Sequence, residues 1–430
     1  MKKFKRLLCA LLFLITIIYS STCFAVLDEP TTYSPTCLIM EMETGKVVYS
    51  KNGYEKAYPA STTKLMTAIL AVENCKLDDV ATASYEAIFT VPWDYTNANI
   101  QVGEQLTIEQ LLKVLLIPSA NDAANVIAEH IAGSVSSFAT MMNSKADEIG
   151  CKNTNFMNAN GLHNDNHYST AYDLALIGRY AMQYETIRNI VSMTSYTLPA
   201  TNKFATNDRY FANTNDLIHK SDEVRLDNYY YEYCNGIKTG YTAKAGSCIV
   251  ASSTKDDKEF IVVVLGGGQT DNGLSERNLD CKTLFDYAFD NFYVKNLHEK
   301  DSVLKTVRVK NASILNNKLD VLIKDDVSVV VSKDVDLATL TPTVDIDESL
   351  KAPVTKGAKI GTITYKIGDN EYTSSLIAGN DLKEGNPFVL ALVIFVIIIL
   401  LYLLIKPSKS KKNKKKKSKK SKNKDSYMYW

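Results

Sequence analysis

The chain has 430 residues, enough for two or three domains and a sizeable core, and its 46% apolar content is that of ordinary globular protein. The net charge of +1 hides an uneven distribution: residues 1–25 and 406–430 hold 16 of the 49 basic residues but one of the 48 acids, leaving residues 26–405 near −14. A body of that sign repels nucleic acid, so no nucleic-acid partner is expected.

Residues 1–25 have the form of an export signal peptide. Lys2 to Arg6 supply the basic start, Leu7 to Tyr19 an apolar run too short for a comfortable anchor, and small residues lead to Cys23-Phe24-Ala25. Cleavage is expected after Ala25, leaving Val26 first. A lipid-bearing Cys23 and an uncleaved anchor are the weaker alternatives. Six cysteines follow, Cys37, Cys75, Cys151, Cys234, Cys248 and Cys281, without zinc or redox spacing. Export permits disulfides, yet six buried thiols is the preferred reading. Cys234 and Cys248 flank an expected hairpin and are the one pair to check.

Residues 34–52 read as a hairpin, SPTCLIMEME and KVVYSKN around Thr44-Gly45. Pro59 precedes a helix containing Thr62 to Val72. Thr107-Ile-Glu-Gln110 is a capping box, and Ile108, Leu111, Leu112, Leu115 and Leu116 then share one helical face until Pro118. Asp122 to Ala132 is a further helix, ending at Gly133. Ser119-Ala120-Asn121 is therefore a connector between two helices. From Gly236, GIKTG, SCIVASS and EFIVVVLGG read as antiparallel sheet, and Leu279 to Phe289 as a closing helix. VLKTVRV, KLDVLI, VSVVV and KIGTITYKI carry no helical period, so residues 298–380 are expected to form a small all-β spacer domain.

Pro387 to Ile405 is unbroken apolar sequence, 19 residues long, or about 28 Å of helix, roughly one hydrocarbon core. Its lysine-rich flank, 406–430, is expected in the cytoplasm, with the flank carrying Asp381 and Glu384 outside. The expected product is a single-pass membrane protein with its body on the extracellular side. The lysines would also attract anionic headgroups.

Three short motifs occur in order: Ser61-Thr62-Thr63-Lys64 (S-x-x-K) at a helix start, Ser119-Ala120-Asn121 (S-x-N) on the connector, and Lys238-Thr239-Gly240 (K-T-G) on a strand. Spacing i, i+3 sets the Lys64 amine over the Ser61 hydroxyl. A serine hydroxyl needs a base to become a nucleophile. Burial and a second cation, Lys238, would make Lys64 that base by lowering its pKa. The Ser61 N–H and the N–H of Tyr241 are the natural donors to an oxyanion. Gly240 leaves room for substrate backbone, Lys238 and Thr239 offer a charge and a hydroxyl to a terminal carboxylate, Ser119 can relay a proton, and Asn121 can bond an amide or Lys64. Arg277 is a further candidate for a carboxylate contact, supported by no motif. His163 and His167 bracket Asp165 in an Asn/Gly-rich loop without the helical geometry of a zinc motif; no metal or cofactor is expected.

With these motifs, the segments ETGKVVYSKN, YPASTTKLMTA, IPSANDAANVIAEHIAGS, NANGLHNDNHYSTAYDLA and NGIKTGYTAKAG resemble the low-molecular-weight penicillin-binding proteins, the serine-type D-alanyl-D-alanine carboxypeptidases. The resemblance covers residues 30–295 strongly and 298–380 more weakly. It implies an α+β fold of the β-lactamase and transpeptidase kind, an antiparallel sheet flanked by helices beside a helical subdomain, with the catalytic domain at 26–295. It also implies a bacterial origin, peptidoglycan stem peptides as substrate and β-lactam antibiotics as acylating inhibitors. By resemblance, Ser61 is the acylated nucleophile, Lys64 the proton acceptor, Ser119 the third catalytic residue and Lys238 the substrate-binding lysine. The true span at 387–405 departs from relatives anchored by an amphipathic helix.

Two rivals use the same residues. A class A-like β-lactamase needs a glutamate for its deacylating water, but between Gly150 and Thr170 the only acid is Asp165. A non-enzymatic β-lactam receptor would need room to signal, and the lysine-rich tail is too short for a folded domain.

Overall fold

The computed structural model describes residues 28–206, 209–220 and 229–405. The expected export signal and lysine-rich tail lie outside them.

The expected hairpin is present as β1 (Thr36–Glu41) and β2 (Val47–Lys51). Its turn is held by the Glu41 carboxylate, which accepts from the Glu43 and Thr44 N–H groups at 2.8 and 2.7 Å. A short 3₁₀ turn, Ala60–Thr63, leads into α1 (Lys64–Asn74), so the helix begins two residues later than the expected Thr62. Then come β3 (Val80–Thr82), α2 (Tyr85–Phe89), β4 (Gln105–Thr107), α3 (Ile108–Leu116) and α4 (Asn121–Ala132). The capping box is formed: Thr107 Oγ1 accepts from Gln110 N at 3.2 Å and Gln110 Oε1 from Thr107 N at 2.8 Å. The five apolar residues of the α3 stripe are all buried, which is what fixes this helix in the helical part of the fold. Helices α5 (Val135–Ile149), α6 (Ala171–Ala181) and α7 (Glu185–Val191) complete that part, followed by a hairpin of β5 (Ser195–Leu198) and β6 (Arg209–Ala212).

The chain then returns to the first sheet through β7 (Cys234–Thr242), β8 (Gly246–Lys255) and β9 (Lys258–Gly267), and closes with α8 (Glu276–Asn291). Strand order is β2-β1-β9-β8-β7, antiparallel throughout. Helices α6 and α8 both pack on this sheet, and Phe260 of β9 meets Phe289 of α8 edge to face at 5.3 Å. Covered strands need apolar residues on successive positions, which explains the unbroken run IVVVL in β9.

Two sheets follow. Among the described residues, β10 (Phe292–His298) and β13 (Val327–Ser332) form a two-stranded sheet. β11 (Val303–Ser313), β12 (Asn316–Ile323), β14 (Thr343–Ile346), β15 (Lys359–Ile367) and β16 (Asn370–Ala378) form a sheet of order β11-β12-β16-β15-β14. VSVVV therefore belongs to a different sheet from the other three segments read as strands. Among the described residues, two compact units divide the chain, one ending its first stretch at Glu299 and including Asp326–Thr343 and Ile363–Ser374, the other made of Lys300–Asp325, Val344–Thr362 and the residues from Ser375. Pro387–Ile405 is one helix, α9, long and apolar enough to cross a membrane, with no buried side chain.

All six cysteines in the described residues are free thiols. Cys234 lies opposite Ser253 and Cys248 opposite Gly240, so the ladder separates the pair singled out for a disulfide. Cys75 and Cys234 are only partly covered, which corrects the expectation that all six are buried.

Candidate active site

Two glycines set the position of Ser61. A Cβ on Gly240 of β7 would lie 2.8 Å from the Ser61 backbone nitrogen, and one on Gly161 would lie 2.0 Å from the Ala60 carbonyl oxygen. Neither position has space for a side chain, so strand and loop approach the Ala60–Ser61 peptide from two directions.

Lys64 is the first residue of α1 and fully buried. Its Nζ lies 2.9 Å from Ser61 Oγ, 2.7 Å from Asn121 Oδ1 and 2.6 Å from the Asn160 carbonyl oxygen. Two of these partners can only accept. In its neutral form the amine has two hydrogens and one lone pair; with the two carbonyls taking the hydrogens, the lone pair is left to the Ser61 hydroxyl. Burial, then the charge of Lys238, holds the Lys64 pKa well below the ordinary lysine value, against a smaller opposing pull from Asp122. Both acceptors are themselves held. Asn121 donates through Nδ2 and through its backbone N–H to Thr96 O at 2.9 and 3.0 Å. Asn160 donates to Asn125 Oδ1 at 3.1 Å and accepts from Leu162 N at 2.9 Å. Asp122 accepts from the N–H groups of Ala98 and Ile100 and so fixes the loop that carries Thr96.

Ser119 lines the same cleft with Ser61, Thr214, Thr239, Gly240 and Tyr241, in a volume of about 470 Å³. Its backbone is left-handed, with φ 73°. Lys238 is buried, and its Nζ donates to Thr239 O at 3.0 Å. Burial, with Arg277 as a second cause, lowers its pKa to about 7. Thr239 and Thr214 share a hydroxyl–hydroxyl bond of 2.6 Å. Arg277 also lines the cleft, donating through Nη1 to Gly240 O at 3.3 Å, while its buried Nε has no partner. One end of the cleft thus gathers the Arg277 guanidinium and two threonine hydroxyls, with the buried Lys238 adjoining Thr239, a setting for a carboxylate.

The lysine at that end destabilises the empty fold. Lowered from about 10.4 in the unfolded chain to about 7, Lys238 must shed a proton on folding near pH 8. The penalty is absent above the unfolded value, grows as pH falls toward the folded value and is constant below it. Lys238→Met is therefore expected to be more stable than the native chain at pH 7, by roughly 4 kcal/mol, with the gap shrinking toward pH 10. Thermal melts at both pH values check this; a gap that does not change with pH removes the lysine as its cause.

Sequence reasoning missed three groups that hold the site. Asn160, in the segment NANGL, supplies an acceptor to Lys64 through its backbone oxygen, for which residue type gives no signal. Thr96 and Thr214 stand in stretches with no motif. The histidines turn to separate partners. Met157 N donates to His167 Nδ1 at 3.2 Å, so His167 donates through Nε2 to Thr63 Oγ1 at 2.8 Å, a neutral ring whose pKa burial lowers to about 4. His163 faces Asp165 at 3.2 Å and meets Tyr58 edge-on. Asp165 is 89% exposed and does not line the cleft of Ser61.

Residues 25–269 match the family model described as D-alanyl-D-alanine carboxypeptidase, and residues 292–384 match the penicillin-binding protein 5 C-terminal domain. The chain is 31% identical over 393 residues to D-alanyl-D-alanine carboxypeptidase DacF of Bacillus subtilis, covering 88% of this chain and 95% of that one. It is 28% identical to DacA of Haemophilus influenzae, over 84% of this chain and 88% of the relative. Its fold matches the crystal structure of penicillin-binding protein 5 from Haemophilus influenzae with a TM-score of 0.70 at 26% identity, covering 84% of this chain and all of that one. A serine beside a buried lysine, opposed by a second lysine on a sheet edge, is thus set in a chain that belongs to the serine-type, penicillin-binding D-alanyl-D-alanine carboxypeptidases.

Proposed function

We propose that Ser61 is the nucleophile, Lys64 its base and Ser119 the relay to the leaving group, acting on stem pentapeptides of peptidoglycan. Ser61 Oγ attacks the carbonyl carbon of the penultimate D-alanine and its proton passes to the Lys64 lone pair. The oxyanion is held by the N–H groups of Ser61 and Tyr241. The C–N bond then breaks, the proton returns through Ser119 to the departing amine, and free D-alanine leaves an ester on Ser61. Water attacks that ester and regenerates the hydroxyl. Lys238, Thr239 and Arg277 hold the terminal carboxylate. The observation that carries this reading is the Lys64 geometry: two acceptors of fixed position and one serine hydroxyl around a buried amine. A β-lactam ring offers the same attack on a strained amide, and its opened amine stays tethered in the site.

The test uses the full-length chain in detergent with a pentapeptide mimic and with penicillin. One D-alanine released per peptide and a lasting mass increase on the protein are expected. Rapid drug turnover would make it a β-lactamase; an adduct without D-alanine release would make it a receptor.

The acid–base assignment has its own signature. Lys64 must be neutral, so activity falls on acidification. Lys238 must be charged to bind a carboxylate, and in the free enzyme it loses its proton above about pH 7. The profile of kcat/KM should be bell-shaped. That of kcat should keep the acid limb and lose the alkaline one near neutrality, because the bound carboxylate pulls the Lys238 pKa back up. A flat kcat/KM between about pH 5 and about pH 9 would remove both lysines from these roles.

The placement of the enzyme is part of the same proposal. Residues 1–25 direct export, α9 spans the membrane, the body stands outside as a β-domain spacer (298–380) and a catalytic domain (26–295), and the lysine tail 406–430 stays in the cytoplasm. The substrate lies on that outer side.

A further inference from the structure

The hairpin joining β11 to β12 ends in Ile314 and Leu315, which are 50% and 80% exposed. Two adjacent aliphatic side chains at a hairpin apex have no partner in the sheet and are costly in water. Their position explains them. The same hairpin is tied to the segment that enters α9: Ala312 bridges Glu384, Gly385 N donates to Asn311 O at 2.7 Å, and Ser313 N donates to Lys383 O at 3.3 Å. A recess of about 350 Å³ is shared by the hairpin, through residues such as Ile314, and by the first turn of α9, through Val389 and Leu390. Whatever depth the start of α9 occupies, the apex occupies nearly the same.

We propose that the β11–β12 apex is a second membrane contact, with Ile314 and Leu315 inserted at the headgroup–acyl boundary beside the span. The proposal rests on the reading of α9 as a membrane span. A span entering the bilayer at Pro387 or Phe388 brings a hairpin bonded to residues 383–385 to the interface, where an apolar tip gains from shallow burial. Lys310 and Lys318 flank the apex on its two strands and Lys351 bridges Lys310, while Asp381 and Glu384 are the acids of the adjoining segment. Three lysines near the surface favour anionic headgroups. The consequence is orientational: a single helix leaves its domain free to swivel, whereas a helix and an adjacent inserted hairpin fix how the β sheet stands on the bilayer.

The test places tryptophan at the apex and in the span of the full-length chain, as Leu315→Trp and Leu392→Trp, reconstituted in vesicles of phosphatidylcholine and phosphatidylglycerol. Emission is measured with lipids brominated near the headgroup and deep in the chain, against the native background from Trp93 and Trp430. The added Trp at 315 should lose about half its emission to shallow bromines and shift to the blue, and the one at 392 should be quenched by deep bromines. Deep quenching at 392 with none at 315 overturns the hairpin contact and leaves the span standing, including the case in which a protein covers the apex. No quenching at either position removes the span and the proposal with it.

Discussion

Ser61→Ala and Lys64→Met are each expected to lower the rate of acyl-enzyme formation by about 10⁴-fold or more, and the double variant to be no slower than either alone. The hydroxyl and the amine are one device. Without the amine, Ser61 keeps its proton at neutral pH; without the hydroxyl, the amine has nothing to activate. Lys64 Nζ reaches Ser61 Oγ at 2.9 Å, and its other two partners, Asn121 Oδ1 and the Asn160 carbonyl, can only accept, so the neutral amine has its lone pair left for Ser61. Intact mass after timed exposure to penicillin gives the rate directly. Full additivity, each substitution costing its own factor in the double variant, would mean that Lys64 acts independently of Ser61, as a structural or substrate-binding lysine. Lys64→Arg should fail as badly as Lys64→Met, because a guanidinium keeps its proton and has no lone pair to offer.

What the sequence made legible, and what it did not, divides by the range of the interaction. The α3 helix was readable because its capping box and its apolar stripe are both local, and both are formed as expected. The three motifs were readable for the same reason: each is a short segment whose residue types are constrained by one reaction. The start of α1 was misplaced by two residues because a 3₁₀ turn and an α-helix ask for the same residues over one turn. The bond from Lys64 to Asn121 was legible in the S-x-N motif and is present, but the other groups that build the site were hidden. Asn160 accepts through its backbone oxygen, which any residue has, and Thr96 does the same for Asn121. Thr214 comes from a stretch 25 residues before Thr239 with no periodic signal. Arg277 was visible as a residue but not as a neighbour, since α8 reaches the cleft only once the sheet has formed. Pairing in the later strands was equally non-local: VSVVV has the composition of any buried strand, and only the sheet itself selects β10 as its partner.

Gly161→Ala is expected to cost the enzyme at least 10²-fold in acylation rate and about 2–4 kcal/mol in stability. Two effects combine there. Gly161 has φ +85°, which alanine adopts at a cost of about 1 kcal/mol. The new Cβ would also lie 2.0 Å from Ala60 O, against an ordinary carbon–oxygen contact of about 3.3 Å, so loop and nucleophile turn must separate by about 1 Å. Asn160 O moves with the loop and Ser61 with the turn, so Lys64 loses an acceptor on one side and alignment with the hydroxyl on the other. Gly133→Ala separates the two effects: it too has a left-handed φ, +75°, but nothing lies within 4 Å of its Cβ. That variant should lose about 1 kcal/mol and acylate at the native rate. Measuring both by penicillin acylation and by denaturant melts gives a sharp outcome. If Gly161→Ala acylates as fast as Gly133→Ala, the approach of the loop to the Ala60–Ser61 peptide does not position the nucleophile, and the carbonyl of Asn160 is not what sets the Lys64 lone pair toward Ser61.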